Sequence, residues 1–143
     1  LSGNVAVITV GANSDVELKE KKDRVDDAIH ATKAAVKEGI VPGGGIALLN
    51  AAQKLSGKTE GEKIFIEAIK APYKVILNNA GLNTTTQANK KGWGIDVVTG
   101  KQVSMIKAGI IDPVLVTKTA LKNAVSVATT ILSTDCVINN MRE

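Results

Sequence analysis

Three consecutive glycines, Gly43, Gly44 and Gly45, directly precede the helical pattern that begins at Ile46. Such a run costs backbone entropy on folding, so we expect a specific reason for it. One reason is a tight turn that crosses close to a neighbouring helix. The other is a phosphate or a sugar that approaches bare backbone at a helix N-terminus. The spacing matches neither a dinucleotide fingerprint nor a Walker loop, because Leu48 stands where the third glycine of the fingerprint would be.

Three carboxylates are candidates for chemistry, and each has a purely structural alternative. Asp27 lies two residues from both Val25 and Ile29, so it projects about 200° away from the apolar stripe of its predicted helix. There it is either a solvated acid or a general base that a movable helix presents to an adjacent site. Asp112 either caps a helix or accepts hydrogen bonds from sugar hydroxyls. Asp96, on a predicted hairpin, is typical of a solvated turn carboxylate.

The composition excludes several classes of function. Of the 143 residues, 44% are hydrophobic and 22% are charged, which is typical of a globular domain. The aromatic residues are only Phe65, Tyr73 and Trp93, and the net charge of +4 comes from lysines interleaved with acids. We therefore expect no nucleic-acid partner, since base stacking requires aromatic platforms. One histidine, His30, and one cysteine, Cys136, predict no metal site and no intrachain disulfide.

The chain also lacks the sequence features of a membrane or secreted protein. No apolar run approaches the roughly 20 residues that span a bilayer, so we expect no membrane partner. The first residues lack the basic and apolar regions of a signal peptide, and a cytoplasmic location is expected. Because the sequence starts at Leu1 and not at a methionine, we expect it to be a piece of a longer protein.

Helical periodicity dominates the chain and predicts a mainly α fold. An apolar stripe predicts a long helix over Asp15–Glu38, with Ser14 as its N-cap and Gly39 as its terminator, followed by a loop over residues 40–45. The remaining predicted helices run over residues 46–55, 62–79 with a kink or a break at Pro72, 84–90, and 113–133 behind Asp112 as N-cap. The last of these would turn inward the residues Val116, Ala120, Ala124, Val127 and Ile131.

Strand signals are short and scattered. Val5–Val10 is a β-branched run that predicts a strand, and Cys136–Ile138 predicts another. Ile95–Val98 and Gln102–Met105 flank Thr99 and Gly100, which is a hairpin signature. A strand at each end of the chain without a partner within it predicts pairing with missing chain or with a neighbouring subunit.

Two linked stretches resemble one family. Residues 25–36, V-D-D-A-I-H-A-T-K-A-A-V, and residues 38–45, E-G-I-V-P-G-G-G, are similar to the group I chaperonins, the GroEL-type folding machines, and Gly109–Pro113 and residues 1–20 extend the match over essentially the whole chain. The resemblance implies a chaperonin equatorial-domain-like helical bundle with a small β-hairpin. Residues 1–39 would be the C-terminal part of the intermediate domain, contributing a strand and a long helix. Residues 40–143 would be the C-terminal half of the equatorial, ATP-binding domain.

The resemblance also implies roles for the candidate residues. Asp27 matches the catalytic aspartate that positions or activates the water attacking ATP. Gly44, within Gly43–Gly45, matches the glycine whose backbone contacts the nucleotide, and Asp112 matches the ribose-binding aspartate.

The adenine end of the nucleotide is assigned in the same way. Asp96, Val97 and Val98 would line the adenine, and Ile110 would pack on the base. At the first three positions the well-known bacterial members have Asn-Ala-Ala, so this sequence departs from the family there. The residue that binds the Mg²⁺ accompanying ATP is expected in the N-terminal half of the equatorial domain, which this chain lacks.

For the intact protein, the resemblance implies an ATPase that encapsulates polypeptides and assists their folding. Its partners would be unfolded polypeptides and a co-chaperonin lid, both bound through the missing apical domain, and neighbouring subunits in a ring. The chain alone is expected to lack ATPase and folding activity. The alternative is a non-enzymatic helical interaction module, in which the glycines and acids serve only turns and caps.

Overall fold

The computed structural model describes residues 3, 5–83, 90–136 and 138 of the chain. The mainly α class is confirmed over this part. In chain order the elements are α1 (Asp15–Glu38), β1 (Ile40–Pro42), α2 (Ile46–Ala52), α3 (Glu60–Ala68), α4 (Ala71–Asn79), β2 (Trp93–Asp96), β3 (Lys101–Ser104), β4 (Ile111–Pro113) and α5 (Val114–Leu132). The described helices include none that is both long enough and apolar enough to cross a membrane.

Helix α1 begins and ends where local chemistry predicts. The Ser14 hydroxyl accepts a hydrogen bond from the backbone N–H of Glu17, and Gly39 adopts a φ of 85° after the last turn. None of the residues of α1 is buried, and Val36 on its apolar stripe is 82% exposed. The helix contacts β4 and α5, and Glu38 in its last turn forms an ion pair of 2.8 Å with Lys118 of α5.

Neither predicted terminal strand is paired in the part of the chain that the structure describes, Val137 lies outside the described residues, and pairing with missing chain or a neighbouring subunit stays a prediction. Residues 5–10 are irregular, with Val5 88% and Val7 84% exposed. Cys136 and Ile138 are likewise irregular. A β-branched run becomes a strand only when another strand accepts its backbone hydrogen bonds, and no described strand lies beside either segment. The helix predicted over 84–90 lies almost wholly outside the described residues.

The helix predicted over residues 62–79 is divided in two, as Pro72 predicts. Pro72 lies in the first turn of α4, where its missing N–H needs no partner, and α3 ends at Ala68. A capping box between Thr59 and Glu62 starts α3 two residues before the predicted start. Helix α2 ends at Ala52, three residues earlier than predicted.

Residues 40–42, predicted as loop, form β1 and pair antiparallel with β4. Val41 lies opposite Asp112 in this ladder. The pairing keeps residues 111–113 extended, so α5 begins at Val114 and Pro113 is its N-cap residue, with no side-chain cap. The prediction that Asp112 caps α5 is therefore wrong.

The hairpin is confirmed, with each strand shifted from the predicted range. Strands β2 and β3 pair from Trp93 opposite Ser104 to Asp96 opposite Lys101, and residues 97–100 form the loop. The hairpin packs tightly on α2, because a Cβ built on Gly94 would lie 2.7 Å from the side chain of Ile46.

The core is small and lies where α2, α4 and the hairpin meet. Its buried members are Ile46, Tyr73, Leu77 and Met105. Five α5 residues are predicted to point inward: Val116, Ala120, Ala124, Val127 and Ile131. The first three line a groove that faces α2–α4, but all five are exposed, so their predicted burial is wrong for the described chain. Helix α5 has no buried residue and forms one wall of a groove instead.

Candidate functional site

A groove of about 680 Å³ lies between α5 and the helices α2, α3 and α4. Gly44, Gly45 and Asp112 all line it. Among the described residues that line it, Asp112 is the one that is ionisable and Thr117 the one with a hydroxyl, while the other side chains are apolar. Two of the residues predicted to surround one nucleotide, Gly44 and Asp112, therefore share a cavity.

The β1–β4 ladder brings these two distant segments together. Asp112 lies beside β1, which leads directly into the glycine turn. The backbone N–H of Gly43 donates a hydrogen bond of 2.9 Å to the carbonyl oxygen of Ile110, two residues before Asp112. Backbone hydrogen bonds therefore fix the carboxylate and the glycine turn relative to each other.

The glycine turn is required by close packing. Gly44 and Gly45 have φ angles of 64° and 77°, a region that L side chains rarely adopt. A Cβ on Gly45 would lie 2.8 Å from the backbone nitrogen of Tyr73 in α4, and one on Gly44 would lie 2.9 Å from the Cε of Met105. The first alternative, a tight turn against a neighbouring helix, is therefore observed. Because both residues also line the groove, the same turn presents bare backbone to it.

Asp27 is not part of the groove lining. It is exposed on α1, and α1 joins the rest of the chain through Gly39, whose φ is 85°. The backbone carbonyl of Gly39 accepts a hydrogen bond of 3.1 Å from the N–H of Val114 at the start of α5. The described arrangement thus brings together Gly44 and Asp112 but leaves Asp27 outside.

The carboxylate of Asp96 is engaged within its own hairpin loop. It accepts hydrogen bonds from the hydroxyl of Thr99 at 2.8 Å and from the backbone N–H of Val98 at 3.0 Å. The Thr99 hydroxyl and then the Val98 N–H hold the pKa of Asp96 below its usual value. Val97 and Val98 are 44% and 89% exposed, and none of the three lines the groove.

Ile110 lies at the edge of the core and not in the groove lining. It packs against the buried core cluster, and its backbone N–H donates a hydrogen bond of 2.9 Å to the carbonyl of Met105. In the described structure its side chain therefore contributes to the packing beneath the glycine turn.

Two features of the site were missed by reasoning from the sequence. Thr117 lines the groove beside Asp112, and its hydroxyl donates to the carbonyl of Pro113 at 3.3 Å. The sequence signal that could have indicated Thr117 is its position one turn after the start of α5, close to Asp112. The Glu38–Lys118 ion pair joins residues far apart in the chain, and no local pattern points to it. Among the described residues, no three His, Cys, Asp or Glu side chains group as metal ligands would.

Comparison with known proteins gives two findings. The model of the TCP-1/cpn60 chaperonin family matches residues 1–142. A crystal structure of a group III chaperonin in the open state is similar, with a TM-score of 0.75 and 32% sequence identity. The match covers 90% of this chain and 30% of that chain, so the present sequence spans about a third of the length of its structural relative.

Proposed function

Because the chain belongs to the TCP-1/cpn60 chaperonin family, we propose that it is part of an ATP-dependent chaperonin that encapsulates polypeptides and assists their folding. Since the chain spans 30% of its structural relative, the activity belongs to the whole protein. Residues 1–39 are assigned to the intermediate domain and residues 40–143 to the equatorial domain. The unfolded polypeptides and a co-chaperonin lid bind elsewhere in the protein, neighbouring subunits complete a ring, and the location is the cytoplasm.

The groove that holds both Gly44 and Asp112 carries this proposal. A carboxylate accepts hydrogen bonds from the hydroxyls of a sugar, and a glycine backbone lets the sugar or a phosphate approach closely. The carboxylate and the bare backbone are the two features that binding of the ribose of ATP needs. Asp112 is therefore assigned to ribose binding and the Gly43–Gly45 turn to backbone contact with the nucleotide.

The described lining of the groove does not match the triphosphate. The groove lining contains no lysine or arginine, so the charge of the phosphates and their Mg²⁺ must be met by other parts of the protein. Bound ATP would supply the phosphoanhydride bond whose hydrolysis drives the chaperonin. The chain alone is therefore proposed to lack ATPase activity.

Asp27 is assigned to water positioning on the basis of family resemblance. Its carboxylate would accept a hydrogen bond from the attacking water, acting as a general base or an orienting group. Asp27 lies outside the groove lining in the described arrangement, and we propose that a movement of α1 relative to α5 brings it to the γ-phosphate. Gly39, with its φ of 85° and open surroundings, is the proposed hinge.

A second candidate function is a non-enzymatic helical interaction module. The almost wholly apolar lining of the groove favours it, since such a surface suits an amphipathic helix. Under this alternative, Gly44 and Gly45 serve only the turn against α4, and the full-length protein binds no nucleotide.

The two functions are separated by replacing Asp27 with alanine in the full-length protein and measuring both ATP affinity and steady-state hydrolysis. We expect the ATP affinity of D27A to be unchanged. We expect its rate of hydrolysis to fall by about 100-fold or more, because a positioned general base contributes a factor of this size. The matched control is D23A, which removes an exposed acid one turn earlier on α1. A parallel loss of affinity and hydrolysis in D27A refutes the catalytic role, and absence of ATP binding to the unaltered protein favours the interaction module.

A further inference from the structure

We draw no further inference here: the strongest candidate, the apolar part of the groove between α5 and the helices α2–α4, adjoins the glycine turn and Asp112 of the site already described, and nothing in the structure shows what covers it.

Discussion

At the scale of single residues, the glycine turn combines two demands that usually occur apart. Gly45 must pass within contact of the α4 backbone, and the same residue lines the groove beside Asp112. A side chain at this position would therefore disturb the fold and the proposed ligand surface together. Gly44 is restricted by its φ of 64° more than by contact, because the Met105 Cε that a Cβ there would meet ends a flexible side chain.

Replacing Gly45 with alanine should destabilise the chain by about 1–3 kcal/mol, because alanine is strained at a φ of 77° and its Cβ would meet the backbone of Tyr73. Chemical denaturation measures this loss. Gly61 in α3 is the matched control, since a Cβ added there would have nothing within 4 Å and its φ is not positive. G61A should raise stability by up to about 1 kcal/mol. Equal stability of the two variants would contradict the steric account.

At the scale of elements, a helix or strand could be predicted from the sequence only where residues close to it along the chain determine it. The start and end of α1 follow from Ser14 and Gly39, and the break before α4 follows from Pro72, each within a few residues. Strands β1 and β4 are three residues long and depend on pairing between segments separated by about half of the chain, so the sequence around each gives no sign of them. That ladder displaced Asp112 from the cap of α5 and placed it in the groove wall.

The same dependence on distant partners explains why other predicted elements are not paired or buried within the described chain. Residues 5–10 have strand composition but no described strand beside them, and the α5 residues Val116, Ala120 and Ala124 face an open groove, so they are not buried. At the site, the glycine turn and Asp112 could be predicted from family resemblance. The groove could not, because its walls come from four helices whose packing no local pattern specifies.

The junction of α3 and α4 provides a pH-dependent test. Glu67 near the end of α3 bonds to Lys70 and Lys74, and these partners, Lys70 first, lower the pKa of Glu67 from 4.5 to about 2. The contribution of this carboxylate to stability is therefore fully present above about pH 4.5 and is lost as the pH falls towards 2. Carbon-detected NMR titration of the Glu67 side chain measures the pKa directly.

We expect K70A to raise the pKa of Glu67 towards 4.5. K63A is the control, since Lys63 pairs at the same spacing with Glu60 and not with Glu67. An unchanged Glu67 pKa in K70A, or an equal rise in K63A, would show that the described ion pairs do not persist in solution.

At the scale of the whole molecule, the described chain exposes many more large apolar side chains than its small core buries. Buried hydrophobic residues are confined to α2, α4 and their immediate surroundings, whereas α1 and α5 have none. Exposed apolar patches of this kind usually mark interfaces. This imbalance supports the proposal that the chain functions within a larger protein, as does its coverage of about a third of a chaperonin chain.

The isolated 143-residue chain should therefore bind an apolar fluorescent dye, such as anilinonaphthalene sulfonate, in the groove. A124E places a charge in the groove wall and should reduce the fluorescence enhancement several-fold. V98E is the control, because Val98 is 89% exposed and lies outside the groove. If the two substitutions reduce dye binding equally, the groove is not the main apolar surface of the chain.

The central claim, that Asp112 receives the ribose of ATP, is tested most directly by one set of affinities. Calorimetric titration of the full-length protein and its D112A variant with ATP, 2′-deoxy-ATP and 3′-deoxy-ATP separates the sugar contact from the rest of the site. In the unaltered protein, loss of the hydroxyl that bonds to Asp112 should weaken binding about 10-fold or more, the value of a hydrogen bond to a charged acceptor. In D112A, the analogue that lacks this hydroxyl should bind as tightly as ATP does. An equal loss of affinity for that analogue in both proteins would contradict the assignment.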